Sequence, residues 1–130
     1  LHGDETIEDI KIIKEMVKKP IIKSLPVSTY KDLKDFKKIE EVCDMILFDS
    51  KTSLGISGGT GNSFDWNLLK DLKLKKKWML AGGLNINNIE NALSITNAPV
   101  IDVSSGVEKK KGIKCEKKIK NLINYLKNEN

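Results

Sequence analysis

Apolar residues recur along this chain at two spacings, and the alternation between them marks out the elements. Ile7, Ile10, Ile13 and Val17 fall three or four residues apart, the period of one helical face. Thr6, three residues ahead of Asp9, has the form of a capping box with Asp in place of the usual Glu. A helix is therefore predicted over 6–19, ended by Pro20. IIKSL at 21–25 reads as a short buried strand, and Ser28 is placed to cap a second helix with the stripe Tyr30, Leu33, Phe36 and Ile39. MILFD at 45–49 is a nearly continuous apolar strand; a short helix is expected at 65–72, with Ser63 or Asp65 near its start. KWMLA at 77–81 is a third strand, followed by a helix with Ile89, Ala92 and Leu93 on its inner face. PVIDVS at 99–104 is the fourth, and beyond the loop SSGVEKKKGIK a last helix carries Ile119, Leu122, Ile123 and Leu126.

One helix is thus followed by four repeats of strand, loop and helix. Apolar strands alternating with amphipathic helices predict an α/β fold, a parallel sheet covered by helices. All nine glycines fall in loops, and seven of them (Gly55, Gly58, Gly59, Gly61, Gly82, Gly83 and Gly106) follow the C-terminal ends of strands, where such folds build their sites. Four lie within GISGGTGNSFDW, backbone that turns with positive φ, lies close to a ligand, or is flexible. Gly3 joins the set if Leu1 and His2 end a preceding strand.

Composition narrows the reading. With 130 residues, 39% of them hydrophobic, the chain is expected to form a single domain, 1–130. Its net charge of +5 comes wholly from lysine, spread over the amphipathic segments without arginine, which reads as a solvated surface and not a nucleic-acid footprint. No apolar run approaches the roughly 20 residues of a membrane span, and no signal peptide heads the chain. Cys43 and Cys115 show no CxxC or Cys/His metal spacing, and a reduced, cytoplasmic setting fits; no metal and no cofactor are expected. The chain lacks an initiator Met and begins as though at the end of an element, which points to a fragment.

Several residues carry chemistry. Asp49 closes an apolar strand, where partial desolvation raises a carboxyl pKa and suits it to general-acid work; it equally fits a strand-end Asp capping its own loop. AGGLN, with Gly82 and Gly83, and DVSSGVE, with Ser104, Ser105 and Gly106, follow the last two strands, the positions at which eight-stranded barrels commonly cradle a phosphate on backbone N–H groups. Two tight turns without a ligand are the plainer alternative. Asp102 faces the mouth of the sheet by alternation, or serves as a buried acceptor. The lone His2 is expected in a supporting role, and both cysteines are expected to be inert.

FDSKT, GGTGNSFDW, AGGLN and DVSSGVE, in this order and spacing, closely resemble the C-terminal half of phosphoribosylanthranilate isomerase, a (β/α)8-barrel (TIM-barrel) family of tryptophan biosynthesis. LHGDE is similar to the end of that family's fourth strand, so the resemblance covers essentially the whole chain. It implies about four βα units of the barrel and an Amadori rearrangement of a phosphorylated small molecule, N-(5-phosphoribosyl)anthranilate. It further implies Asp49 as the general acid that protonates the ribose ring oxygen. Gly82, Gly83, Ser104, Ser105 and Gly106 are then implied as the phosphate site, and Asp102 as a neighbour of the substrate's amino nitrogen.

The resemblance also marks what this sequence lacks. The family's general base is a cysteine in a CGxT motif on its first strand, and an arginine after its second helps to bind the anthranilate; neither motif occurs here, and Cys43 and Cys115 lie in the wrong elements to replace the base. The chain alone is therefore expected to be inactive, and its expected partner is the missing N-terminal half or a second copy that closes the exposed sheet edges. After the last strand, Lys111 stands where the family often has Pro, and Cys115 where it has an Asp capping the last helix. Two further readings are another phosphate-binding barrel enzyme, such as a histidine-pathway isomerase or indole-glycerol-phosphate synthase, and a non-catalytic phosphosugar-binding half-barrel. The GGTG loop after FDS argues against the other enzymes.

Overall fold

A computed structural model of the chain describes residues 1–50 and 65–128, so the glycines from Gly55 to Gly61 and the alternative cap Ser63 lie outside the described residues. Helix α1 spans Ile7–Val17. Thr6 Oγ1 accepts from the Asp9 N–H at 3.1 Å and Asp9 Oδ2 accepts from the Thr6 N–H at 2.9 Å, the reciprocal pair read from the sequence. Strand β1, Ile22–Val27, runs two residues past the expected end and through Pro26. Proline is accommodated because β1 stands at one end of the sheet order. Along its outer side lies Leu1, whose amino group donates to Ile22 O and whose carbonyl accepts from the Ser24 N–H, each at 2.8 Å.

The second helix is not the continuous one expected. A 3-10 turn, Tyr30–Leu33, precedes a short α2, Phe36–Val42. Asp32 causes the break: one carboxylate oxygen accepts from the N–H groups of Ser28 and Thr29 at 2.9 and 2.8 Å, winding the chain into a tight turn. Leu33 and Phe36 are buried, whereas Tyr30 is 69% exposed and drops out of the stripe. Strand β2 covers Met45–Ser50, β3 Trp78–Leu80, and α3 Ile89–Thr96. Between β2 and β3 the helix expected at 65–72 is a 3-10 turn, Trp66–Leu69, begun by Asp65 Oδ1 accepting from the Asn67 N–H at 3.0 Å.

Strand β4 is only Val100–Ile101, shorter than PVIDVS. It ends the sheet order and is paired on one side, so after one further bond, from the Asp102 N–H to Leu80 O at 2.8 Å, the chain turns away. The expected loop beyond it is instead an antiparallel hairpin, β5 (Glu108–Lys110) and β6 (Ile113–Lys114). Lys111 and Gly112 form its turn, with Gly112 at φ 79° where an L side chain would be strained. Helix α4 spans Glu116–Asn128. Leu122 is buried and Ile119, Tyr125 and Leu126 pack on the core, whereas Ile123 is 44% exposed and falls outside the expected face.

Strands β1 to β4 form one parallel sheet in the order β1-β2-β3-β4, the architecture expected of an α/β protein. Its register sorts side chains by face. Ile46, Phe48, Trp78 and Leu80 point to the helix layer, where they bury with Ile10, Phe36, Ile89, Ala92 and Leu122. The Phe48 and Trp78 rings meet edge to face at 5.5 Å. Ser24, Leu47, Met79 and Val100 share a row on the opposite face.

Candidate active site

Two residues beyond Leu47 on β2, alternation returns Asp49 to the face opposite the helices, and two residues beyond Val100 it returns Asp102 to the same face. Asp49 is half-buried and accepts its neighbour Ser50's N–H at 2.7 Å, so it does cap its own loop. Burial nevertheless lifts its carboxyl above the usual Asp range; the Ser50 N–H opposes this, the negative charge of Asp102 adds to it, and His2 opposes it weakly. A loop-capping hydrogen bond and a raised carboxyl pKa therefore coexist in one side chain. Asp102 is exposed, which corrects the reading of it as a buried acceptor.

The loop after β3 runs directly behind this carboxyl. Gly82 has φ 91° and Gly83 φ 70°, and a Cβ placed on Gly82 would stand 2.7 Å from Ser50 N and 3.0 Å from Asp49 Oδ1. Asparagines fix the loop's exit: the side-chain amides of Asn85 and Asn88 donate to Gly83 O at 3.2 and 3.0 Å, and Asn88 Oδ1 accepts from the Asn85 N–H at 2.8 Å. The loop after β4 lies on top of it. A Cβ on Gly106 would collide with the Leu84 carbonyl oxygen and stand 2.9 Å from Asn85 Cβ. Glycine at 106 is thus the condition for the two loops to touch.

The structure therefore gathers Asp49, Gly82, Gly83 and Gly106 at one end of the sheet, with Asp102 and His2 near enough for their charges to act on Asp49. Ser105 and Gly106 open the 3-10 turn Ser105–Val107, and the first N–H groups of such a turn have no acceptor within it. Ser104 is exposed, and its hydroxyl accepts from Lys114 Nζ at 2.9 Å. An acid flanked by glycine-rich N–H groups suits a substrate with a basic leaving oxygen at one point and an anion at another. Among the described residues, no three or more His, Cys, Asp or Glu are grouped to hold a metal ion, and no helix is long and apolar enough to cross a membrane.

Sequence reasoning missed Asn85, Asn88 and Lys114. The asparagines were legible, since Asx turns after a glycine pair are a local pattern. Lys114 was not, because its partner Ser104 lies ten residues away across an unforeseen hairpin. Cys43 is fully buried, which pushes its thiol up, and Cys115 is half-buried; both are free thiols. A groove of about 660 Å³ between α3 and α4, lined by Glu90, Tyr125 and Ile101 among others, includes none of the candidate residues.

A family model described as N-(5'-phosphoribosyl)anthranilate (PRA) isomerase matches residues 1–125. The chain is 41% identical over 116 residues to the N-(5'-phosphoribosyl)anthranilate isomerase of Beijerinckia indica, covering 88% of this chain and 52% of that protein. It superposes on the phosphoribosyl anthranilate isomerase structure from Thermotoga maritima with a TM-score of 0.83 and 34% identity, over 98% of this chain and 60% of that one. A further phosphoribosyl anthranilate isomerase structure, in complex with reduced 1-(o-carboxyphenylamino)-1-deoxyribulose 5-phosphate, gives a TM-score of 0.77 at 32% identity, over 98% of this chain and 58% of that one. The chain thus spans a little over half the length of the proteins it matches.

Proposed function

Because the chain belongs to the phosphoribosylanthranilate isomerase family, we propose that residues 1–130 form the C-terminal part of a barrel catalysing the Amadori rearrangement of N-(5'-phosphoribosyl)anthranilate in tryptophan biosynthesis. In this reading protonated Asp49 gives its proton to the ribose ring oxygen as the C1–O bond breaks. The anilino nitrogen supplies the electron pair and becomes a protonated Schiff base. A base then removes the C2 proton, and the enolamine becomes the 1-amino-2-ketone. Gly82, Gly83, Ser104, Ser105 and Gly106 hold the phosphate, and Asp102 faces the amino nitrogen.

The observation that supports this reading most is the contact of the acid with the first glycine loop, 3.0 Å between Asp49 Oδ1 and the Cβ position of Gly82. It makes proton donor and phosphate anchor parts of one packed unit, as a substrate with those two handles requires. The C2 base and the anthranilate-binding arginine come from residues outside this sequence, which contains neither a CGxT motif nor any arginine.

The test is a chimera that joins this chain to the part of the Beijerinckia indica relative it does not span. The chimera is expected to convert N-(5'-phosphoribosyl)anthranilate, its Asp49→Asn variant to lose ~100-fold or more in kcat, and the 130-residue chain alone to show no turnover. Full activity of the Asp49→Asn chimera, or of the chain alone, would sink the assignment.

A further inference from the structure

Lys114 stands at the end of the hairpin with three neighbours around its ammonium group: Ser104 O at 3.0 Å, Ser104 Oγ at 2.9 Å and Glu108 Oε1 at 2.8 Å. An ammonium has three protons and no acceptor. All three are engaged, so Lys114 has no proton to spare for a bound anion and does not act as a direct ligand. Its effect falls on Ser104 instead. A hydroxyl has one proton, and a hydroxyl oxygen that accepts from an ammonium must turn that proton elsewhere. The ammonium also polarises the O–H bond and strengthens it as a donor. Ser104 is exposed on the loop that leads into Ser105 and Gly106, so its proton is directed outward from the Lys114 contact.

The hairpin supports this geometry from several sides. Glu108 Oε2 accepts from the Gly112 N–H at 3.0 Å, which ties the carboxylate to the turn. Lys118 Nζ donates to Glu108 O at 2.6 Å from the first turns of α4, and the Cys115 N–H donates to Val107 O at 2.7 Å. The Ser104 carbonyl also accepts from the Val107 N–H at 3.3 Å. Lys114 is thus held at both ends of its reach, with Glu108 fixing the ammonium and Ser104 receiving it. A salt bridge at a surface would contribute little by itself; here it fixes the direction of a hydroxyl.

We propose that Lys114 is a positioning residue for the anion-binding loop, orienting the Ser104 hydroxyl as an obligate donor to the substrate phosphate. The inference rests on the reading of Gly82, Gly83 and Ser104 to Gly106 as a phosphate site. It explains why the segment after β4 is a hairpin, which returns a cation to the loop that precedes it.

The test is a titration of the chain with inorganic phosphate, followed by the amide NMR signals of Gly83, Ser105 and Gly106. Four variants are compared: Lys114→Met, Lys114→Arg, Ser104→Ala and the Lys114→Met/Ser104→Ala double, with thermal midpoints to confirm that each folds. Lys114→Met and Ser104→Ala are each expected to weaken binding ~10-fold, the double variant to be no more than ~2-fold weaker than either, and Lys114→Arg to stay within ~3-fold of the unaltered chain. Losses that multiply in the double variant would mean that Lys114 acts by charge alone, and unchanged affinity in Lys114→Met would mean that it does not act at all; both overturn the proposal while leaving the phosphate site standing. No saturable shift of these three amides in the unaltered chain would overturn the site and this inference together.

Discussion

Gly82 packs against Asp49 so closely that the acid occupies the space a side chain at 82 would need: a Cβ there would stand 3.0 Å from Asp49 Oδ1 and 2.7 Å from Ser50 N. Its φ of 91° adds backbone strain to that overlap for any L residue. Gly82→Ala is therefore expected to lower unfolding free energy by ~2–3 kcal/mol. The Asp49 signal in a carboxyl-detected NMR titration should move as well, because relief of the clash displaces that side chain. Unchanged stability together with an unchanged Asp49 titration would show that the loop does not sit against the acid.

Asp49 itself is held at a cost to stability. Burial, joined by the charge of Asp102 and resisted by the Ser50 N–H and His2, raises its folded-state pKa above the unfolded value. The folded chain thus binds this proton more tightly than the unfolded one. The penalty for ionising Asp49 is absent well below the unfolded pKa, grows as pH rises through the interval up to the folded pKa, and is fully present above it. Asp49→Asn, whose amide oxygen can still accept from Ser50, is expected to melt higher than the unaltered chain at neutral pH, with the gain shrinking toward pH 3. A lower melting temperature at pH 7 would contradict this. Stability gained by removing a reactive group is the usual sign of a site held for function.

Where the sequence was readable, one physical rule acted without competition. The apolar strands Met45–Ser50 and Trp78–Leu80, the capping box at Thr6 and the glycine pair Gly82–Gly83 were all legible, because strand burial, helix capping and positive φ are local demands. Where two rules competed, periodicity alone was not enough. Asp32 draws Ser28 and Thr29 into a turn and removes Tyr30 from the helical stripe, a local polar arrangement that prevails over apolar spacing. The hairpin at Glu108–Lys114 was hidden because its run of lysines looks like a solvated loop; the carboxylate of Glu108, bonded to Lys114 and Gly112, gathers that charge into structure. In the site, the residue types of Asp49 and of both glycine loops were visible in advance. Their contact across Gly82 and Gly106 was not, because close approach of two loops leaves no trace in either one.

On the other end of the sheet, Asp44 links α1 to Ile21, the residue that precedes β1. Its carboxylate accepts from Lys14 Nζ at 2.8 Å and from the Ile21 N–H at 2.7 Å, and these bonds hold its pKa below the usual Asp value. A depressed folded pKa gives stability that is fully present above the unfolded pKa and is lost as pH falls through the folded pKa. Asp44→Asn is expected to cost about 1 kcal/mol at pH 7, discounted for the exposure of the pair, and nothing measurable near pH 2. Denaturant titrations at the two pH values check this. An equal loss at both would show that the side chain's shape, and not its charge, carries the link.

Glu40 makes the corresponding link between α2 and β3, and it does so from inside the protein. Its side chain is buried, at 6% exposure, with Oε1 accepting from the N–H groups of Lys75 and Lys76 at 2.6 and 2.8 Å. In return Lys76 Nζ donates to the carbonyls of Glu40 and Cys43 at 2.6 and 2.7 Å, at the C-terminal end of α2 where the helix leaves carbonyls without partners. Each removal strands the other's groups, so the two losses should not add. Glu40→Ala is expected to cost ~1–3 kcal/mol, because two part-buried N–H groups lose their acceptor. Lys76→Met should cost ~1–2 kcal/mol, and the double variant less than the sum. Chemical denaturation of the four proteins gives the coupling, and strict additivity would show that the two halves of the clamp act independently.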